Sequence, residues 1–285
     1  MKLNSNLMSL SIYKNYSKTL VRQSNALKRI STGEKIISSK DNPHGLAKSE
    51  LLRIQIRGID VASKNLQDST SMLQSADSAM ENINSSLTRM KELSIQAGGA
   101  LSLSDREVIQ QEIEELKSHI DTVANTAEFN GVKLLKAEGV SDNNKPRQLI
   151  NSSGANVGDM INIPLYNLSL DILSSSQGKL LKDVDITSTD NLGSSLETID
   201  DISKSINSMR SKYGAIMGKA ERISDNLSEL NILNQGAESS IRDADIAEEM
   251  VKYSKEDILI NASSALIAQS NKFPQEILRI LENVK

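Results

Sequence analysis

The chain has 285 residues, a formal net charge of −4 and no cysteine. The lack of cysteine excludes disulfides, thiol nucleophiles and Cys-ligated zinc, and the acidic balance gives no electrostatic case for nucleic acid binding. Only 2% of the residues are aromatic and only 4 are proline. Long helices packed by Leu, Ile, Met and Ala need few aromatic side chains, so the composition favours a mainly α protein.

The first predicted helix runs from about residue 7 to residue 31. One heptad stripe of apolar residues follows it: Tyr13, Tyr16, Leu20, Leu27 and Ile30. Gly33 is predicted to end this helix in a left-handed conformation. After a link without helical periodicity, Asn42 is expected to cap a second helix with Pro43 at its first position, where a missing N–H costs nothing.

The second and third helices are predicted to form an antiparallel hairpin. The second has an apolar stripe with one serine: Leu66, Ser69, Leu73, Ala76, Met80, Ile83, Leu87 and Met90. Gly98-Gly99 is expected to end it, and Ser104 with Glu107 has the spacing of a capping box that starts the third. The third helix repeats the pattern at Ile109, Ile113, Leu116, Ile120 and Val123. A short glycine link between two such helices favours the hairpin.

A small β region is predicted after Ala127, where the helical period is lost. Asn130-Gly131 is a turn signal, and the segments 148–150 and 160–165 are short and β-compatible. The excursion, at about residues 129–191, is too short and too polar to form a large domain.

A long heptad helix follows, predicted to start at a Ser194/Glu197 capping box and to end at Gln235-Gly236. Its seam alternates steps of three and four residues: Ile199, Ile202, Ile206, Met209, Tyr213, Ile216, Ala220, Ile223, Leu227 and Leu230. A seven-residue repeat keeps one narrow seam facing a partner helix. We therefore expect this seam to pack against the hairpin of residues 43–127, forming a helical rod.

The last helix is predicted to be capped by Ser240 and Asp243 and to bend or end at Phe273-Pro274. Its apolar positions lie on two sides. The order of elements mirrors itself about the middle, so we predict paired terminal helices from residues 1–42 and 240–285 and a coiled-coil rod domain from residues 43–239. The surplus of apolar surface on the terminal helices indicates packing against further copies of the chain.

Patterns that could carry chemistry are weak. The run Gly214–Lys219 is one residue short of a phosphate loop and falls inside the long helix, where small residues favour close helix approach. The two histidines, His44 and His119, lie far apart with no HExxH pattern, and neighbouring glutamates such as Glu248 and Glu249 are typical of a solvated helix face. No catalytic, cofactor-binding or metal-ligating residue is predicted.

Several motifs, in order and spacing, resemble bacterial flagellin over nearly the whole chain. They are Ile30-Ser-Thr-Gly33, Gln55-Ile-Arg-Gly58, Leu87-Thr-Arg-Met-Lys-Glu-Leu-Ser-Ile-Gln96, Ala127-Glu-Phe-Asn-Gly-Val-Lys-Leu134, Ser240-Ile-Arg-Asp-Ala-Asp-Ile-Ala247 and Ala262–Phe273 followed by Pro274-Gln275. The match is to a short form, with terminal and rod domains only. The link from Ser38 to Gly45 departs from the family's usual pattern of paired Asp followed by small residues.

The resemblance implies a secreted, extracellular structural protein of the flagellar filament that polymerises with itself. It implies export in an unfolded state, with an export chaperone and the flagellar secretion apparatus as partners, together with filament cap and junction proteins. The N-terminus leads into no apolar run of signal-peptide length, which fits that route. No apolar run approaches the ~20 residues of a membrane helix, so neither a membrane nor nucleic acid is expected as a partner.

The resemblance also implies two sets of site residues. The first is a face for subunit packing and for recognition by the animal Toll-like receptor for flagellin: Arg89, Lys91, Glu92, Leu93, Gln96 and Glu112. Lys91 stands where the family commonly has arginine, and lysine lacks the planar two-bond fork, which predicts weaker recognition. The second set, the apolar polymerisation residues of the terminal helices, comprises Leu20, Leu27, Ile30, Ile246, Met250, Tyr253, Ile260 and Leu266.

Two alternatives to a filament subunit stay open at this stage. A hook–filament junction protein shares the terminal architecture and often has a proline where this chain has Pro43. A coiled-coil adaptor would use the same heptads to scaffold partners without polymerising.

Overall fold

The computed structural model describes residues 6–99, 102–156, 158–175 and 178–282, and the fold is mainly α, as predicted. Its helices are α1 (Leu7–Thr32), α2 (Pro43–Ala97), α3 (Leu103–Thr126), α4 (Thr189–Arg242) and α5 (Ile246–Glu282). Two antiparallel strand pairs lie between α3 and α4: β1 (Glu128–Phe129) with β2 (Val132–Lys133), and β3 (Arg147–Ser152) with β4 (Met160–Leu165). A 3₁₀ turn spans Leu181–Asp183.

The chain divides into two compact units. The terminal unit combines residues 1–54 with residues 233–285, and the rod unit comprises residues 55–232. The division predicted from the sequence lies instead at residues 42/43 and 239/240. Helices α2 and α4 each cross this division without a break. The start of α2, up to residue 54, and the end of α4, from residue 233, belong to the terminal unit, and the longer part of each helix belongs to the rod unit.

In the rod unit, α2 and α4 run antiparallel. Polar pairs join them, and the residue number on α4 falls as the number on α2 rises, as in Asp60–Asn231, Asp77–Arg210, Asn84–Ser203 and Lys91–Asp200. Between these pairs the two predicted seams meet in one hydrophobic core, and every α2 stripe residue from Leu66 to Met90 is buried. The end of the α4 seam is the exception, since Leu230 is 48% exposed.

Helix α3 folds back along α2, as the predicted hairpin requires. Ser86 Oγ on α2 lies 3.1 Å from His119 Nδ1 on α3, and the predicted α3 stripe is buried or partly buried in the same core. The capping box is two residues earlier than predicted. Ser102 accepts from the backbone N–H of Asp105, whose side chain accepts from the backbone N–H of Ser102. Both Ser-x-x-acid patterns occur in the sequence, and the spacing alone does not choose between them.

The predicted β segments are confirmed, with β3 longer than expected. Asn130 (φ 49°) and Gly131 (φ 79°) form the turn between β1 and β2, and asparagine and glycine accept this left-handed backbone most readily. Ile161, Ile163 and Leu165 of β4 face the core. Tyr213 on α4 donates a 2.8 Å hydrogen bond to the carbonyl oxygen of Pro164, which fixes the β3–β4 hairpin on the rod.

A buried lysine holds the segment that leads into α4. The ammonium of Lys117 on α3 donates to the carbonyl oxygens of Lys182 (3.1 Å) and Val184 (2.7 Å) and to Glu114 Oε1 (2.7 Å). Its side chain is 4% exposed. A buried amine is tolerated when its protons are hydrogen-bonded, and these three bonds tie the segment around residues 182–184 to α3.

In the terminal unit, α1 and α5 are antiparallel neighbours. Gly33 ends α1 with φ 72°, as predicted, and its carbonyl oxygen accepts from the backbone N–H of Ala244. The Asn42 side chain accepts from the backbone N–H of Gly45 and caps α2 as predicted. Arg242 forms ion pairs with Glu34 and with Glu50.

Three predicted boundaries of the last two helices are wrong, and Phe273-Pro274 does not end α5. Helix α4 starts at Thr189 and continues through Gln235-Gly236 to Arg242, because a single glycine weakens a helix without ending it. Helix α5 is capped by Asp245, which accepts from the backbone N–H groups of Ala247 and Glu248. It then continues past Phe273 to Glu282.

The two tyrosines of the rod provide a matched test of this packing. The rings of Tyr166 and Tyr213 are 5.8 Å apart, and burial raises the pKa of both hydroxyls. Among the described residues Tyr166 Oη has no hydrogen-bond partner. Tyr213→Phe should lower the free energy of unfolding by about 1–3 kcal/mol, because the buried Pro164 carbonyl loses its donor. Tyr166→Phe should leave it unchanged or raise it, as measured by urea denaturation. Equal losses in both variants would contradict the assignment of the Tyr213 hydrogen bond.

Candidate interaction surfaces

The first candidate surface lies on the rod, where α2 and α3 are joined by an arginine fork. Arg89 donates to Glu112 Oε1 through Nε (3.0 Å) and Nη2 (2.9 Å), and Nη1 lies 3.4 Å from Glu92 Oε2. These bonds, Glu112 first, hold the pKa of Arg89 above its ordinary value. All three side chains are about half exposed. The charges are therefore paired within the chain yet open to a partner.

Only four of the six predicted residues can share this face. At about 100° per residue, Arg89, Glu92 and Gln96 lie on one side of α2, and Glu112 joins them from α3. We call these four residues the fork face. Lys91 lies on the opposite side of α2, where it forms a 2.6 Å ion pair with Asp200 of α4.

Leu93 is a correction to the predicted surface, because its side chain is 2% exposed and belongs to the core. The buried stripe of α2 continues beyond Met90 to Ser94 and Ala97. Leu93 lies next to this stripe on the helix and is buried with it. The exposed apolar residues of this region are instead Ile95, Leu103 and Val108. Helical periodicity leaves Ile95 and Val108 outside the apolar stripes of α2 and α3, but the predicted surface, which the motif resemblance supplied, does not include them.

The second candidate surface is the α1–α5 pair. Arg22 lies 3.1 Å from Glu256, Arg29 lies 3.4 Å from Glu249, and Gln23 donates to Asp257 (3.0 Å). Near the start of α1, Asn6 donates to the carbonyl oxygen of Ser270 (2.9 Å). Polar contacts thus fix the register of the two helices along most of α1.

Apolar burial between these two helices is small. Of the described side chains, only Thr19 and Ala26 on α1 and Glu249 on α5 are fully buried. Five of the eight predicted polymerisation residues are 40–53% exposed: Leu20, Leu27, Ile246, Met250 and Leu266. Ile30, Tyr253 and Ile260 are partly buried. Exposed apolar residues that the prediction missed are Leu7, Met8, Leu10, Val21, Val251, Ile258 and Phe273.

Other features of the described part of the chain show no chemistry. No group of three or more acidic or histidine side chains there is arranged to hold a metal ion, and none of the helices described has the length and hydropathy to span a membrane. A shallow groove between α2 and α4 is floored by Leu66 and Ala220. Its polar lining includes Glu221, Asp225 and the hydroxyl residues Thr70, Ser71 and Ser224, and no histidine is among the lining residues to act as a base for them. Gly214 and Gly218 lie inside α4, as expected.

Comparison with known proteins places these helices in a family. The model for the bacterial flagellin N-terminal helical region matches residues 3–139, and the model for the bacterial flagellin C-terminal helical region matches residues 196–281. The chain belongs to the bacterial flagellin family. The first region covers α1–α3 and the β1–β2 pair, and the second covers nearly all of α4 and α5. The segment between them contains β3 and β4.

Flagellin relatives are similar over the full length. The flagellin of Halalkalibacterium halodurans is 34% identical over 99% of this chain and 100% of its own. A flagellar filament 30.7 kDa core protein of Treponema maltophilum is 33% identical over 90% of each chain. Among solved structures, a protein titled as a flagellar hook-associated protein of Vibrio parahaemolyticus has a TM-score of 0.62 at 15% identity, covering 71% of this chain and 100% of that one. This last likeness shows the fold alone.

Leu93 and Ile95 provide a direct test of which flagellin residues form the exposed surface. Leu93→Ala should lower the free energy of unfolding by about 2–5 kcal/mol, because it leaves a cavity in the rod core. Ile95→Ala should change it by less than about 0.5 kcal/mol, as ordinary surface substitutions do. Chemical denaturation of the two variants makes the comparison. If Leu93→Ala lowered the free energy of unfolding as little as Ile95→Ala, Leu93 would have to be assigned to the exposed surface.

Proposed function

We propose that this flagellin polymerises into the flagellar filament through the exposed apolar faces of the α1–α5 pair. The observation that carries the proposal is the exposure of apolar side chains along both helices, among them Leu20, Leu27, Met250 and Leu266. These side chains stay exposed although the terminal unit also contains the ends of α2 and α4. In a filament, neighbouring copies of the chain would bury these side chains, and the same residues would be buried in every subunit.

The free energy available from this burial is large enough to drive assembly. Full burial of a Leu, Ile or Met side chain contributes roughly 1.5–3 kcal/mol, and these residues are about half exposed. With roughly 0.8–1.5 kcal/mol still to be gained from each, five such residues contribute about 4–8 kcal/mol per subunit. A micromolar contact, about 8 kcal/mol, is reached when the further exposed apolar residues of α1 and α5 are buried as well. The rod contributes through side contacts of the fork face, where Arg89, Glu92, Gln96 and Glu112 are accessible.

The same fork face is our candidate for recognition by the animal Toll-like receptor. Its four side chains are polar, exposed and held in register by the Arg89–Glu112 fork, which suits a directional contact. Leu93 contributes indirectly by packing beneath the face. Lys91 forms an ion pair with Asp200 of α4. The lysine that stands where the family commonly has arginine would therefore affect contacts between α2 and α4.

The further assignments follow from family membership. We propose export in an unfolded state to the cell exterior, with an export chaperone, the secretion apparatus, and the cap and junction proteins as partners. The family consists of structural proteins, and we propose no enzymatic activity. The full-length flagellin relatives favour a filament subunit over a hook–filament junction protein, and the unpaired apolar faces of α1 and α5 disfavour a non-polymerising adaptor.

The role of the terminal helices can be tested by one charge on α5. Leu266→Asp should raise the critical concentration for seeded polymerisation at least about tenfold, because a carboxylate would enter an apolar contact. The thermal midpoint of the monomer should barely change. Ser211→Asp, on an exposed position of α4, adds the same charge outside the pair and should polymerise normally. Sedimentation and electron microscopy give the readout.

Deletion of residues 243–285 is the stronger form of the same test. The rod core includes no residue beyond Leu227, so the truncated chain should keep a cooperative, helical rod but form no filaments. Filaments of normal diameter from the truncated chain would show that the rod itself holds the polymer together.

A further inference from the structure

Helix α1 carries five cations and no carboxylate. Its lysines and arginines are Lys14, Lys18, Arg22, Lys28 and Arg29, and its sequence from Leu7 to Thr32 has neither Asp nor Glu. Arg22 and Arg29 form ion pairs with α5. The three lysines are exposed, and no carboxylate among the described residues forms an ion pair with them. Three positive charges of α1 are therefore available to an outside partner.

These three lysines share one face of the helix with three exposed aliphatic residues. At about 100° per residue, six side chains fall within an arc of about 80°: Leu7, Leu10, Lys14, Lys18, Val21 and Lys28. We call them the α1 strip. The two buried residues of the helix, Thr19 and Ala26, lie about 130° away from its centre, so the strip faces away from α5. Leu7, Leu10 and Val21 are 50–73% exposed.

The carboxylates of the helix pair do not complement the strip. Glu249, Glu256 and Asp257 on α5 contact Arg29, Arg22 and Gln23 of the same chain, and Glu248 pairs with Lys252. Among the described carboxylates of α5, Asp257 and Glu276 are exposed and form no ion pair. They lie 19 residues and about 100° apart around the helix, so a second copy of the pair offers no continuous line of acidic side chains to receive three lysines. The partner must supply negative charge and accept aliphatic side chains at the same surface.

An anionic phospholipid surface has both properties. Lysines extend their stems along apolar surface while the ammonium groups reach the phosphates, and aliphatic side chains between them enter the boundary of the acyl chains. We propose that the α1 strip binds the unassembled subunit to an anionic phospholipid membrane. The expectation that no membrane is a partner rests on the lack of a spanning segment, and a helix that lies in the membrane plane needs none.

The test is co-sedimentation of the full-length monomer with vesicles. Wild-type protein should bind vesicles of phosphatidylcholine with phosphatidylglycerol, bind weakly to phosphatidylcholine alone, and dissociate as salt is raised. The triple variant Lys14→Gln, Lys18→Gln, Lys28→Gln should bind anionic vesicles on the order of a hundredfold more weakly, given the usual contribution of each lysine near such a surface. Val21→Ser should weaken binding with the charge unchanged.

The matched control removes three exposed lysines from the rod unit. Lys145→Gln, Lys212→Gln, Lys219→Gln changes the net charge equally and should bind within about twofold of wild type. Equal loss in both triple variants, or equal binding to neutral vesicles, would overturn the proposal. A strip variant that binds vesicles normally but polymerises poorly would assign the strip to a second copy instead. Leu266→Asp should bind vesicles like wild type, so a failure of polymerisation is distinguishable from a failure of lipid binding.

Discussion

The structure depends first on the antiparallel seam between α2 and α4. Residues such as Leu73, Met80 and Leu87 from one helix and Ile202, Ile206 and Tyr213 from the other form a continuous buried row. Each fully buried aliphatic side chain contributes roughly 1.5–3 kcal/mol, and the seven-residue repeat keeps all of them on one line. Because this row is closed within the chain, the rod unit can fold without a neighbouring subunit.

The polar residues of the α2–α4 seam form the hydrogen bonds that attach the β3–β4 hairpin to the rod. Ser69 interrupts the α2 stripe, and the Asn151 side chain of β3 donates to its hydroxyl and to the carbonyl oxygen of Asn65. Tyr213, in the α4 stripe, holds β4 through the Pro164 carbonyl. The terminal unit is built in the opposite way, since α1 and α5 are registered by ion pairs while their apolar side chains stay exposed. The chain therefore separates residues that stabilise the monomer from residues that remain available for assembly.

Periodicity was sufficient to predict the helices and their pairing, because a heptad stripe records which side of a helix is buried. Periodicity could not predict contacts that depend on residues far away in the sequence. Lys117 was not identified because its partners, the carbonyl oxygens of Lys182 and Val184, are backbone groups without a sequence signal. Leu93 was assigned to a surface because the family motif names the residue without its orientation. The capping residues Ser102 and Asp245 were missed since nearby Ser and Asp residues offer equivalent spacings.

We propose that the rod is ordered by its own core, whereas α1 and α5 are fully stabilised only when a partner surface covers their apolar faces, as neighbouring subunits do in the filament. Residue-resolved hydrogen exchange of verified monomer and of filament tests it most directly. The account predicts that amides of the rod seam, around Met80 and Ile206, are protected in both states. Amides of α1 and α5, around Leu20 and Met250, should exchange rapidly in the monomer and slowly in the filament, because their apolar faces are covered only there. Strong protection of α1 and α5 in the monomer would contradict the account.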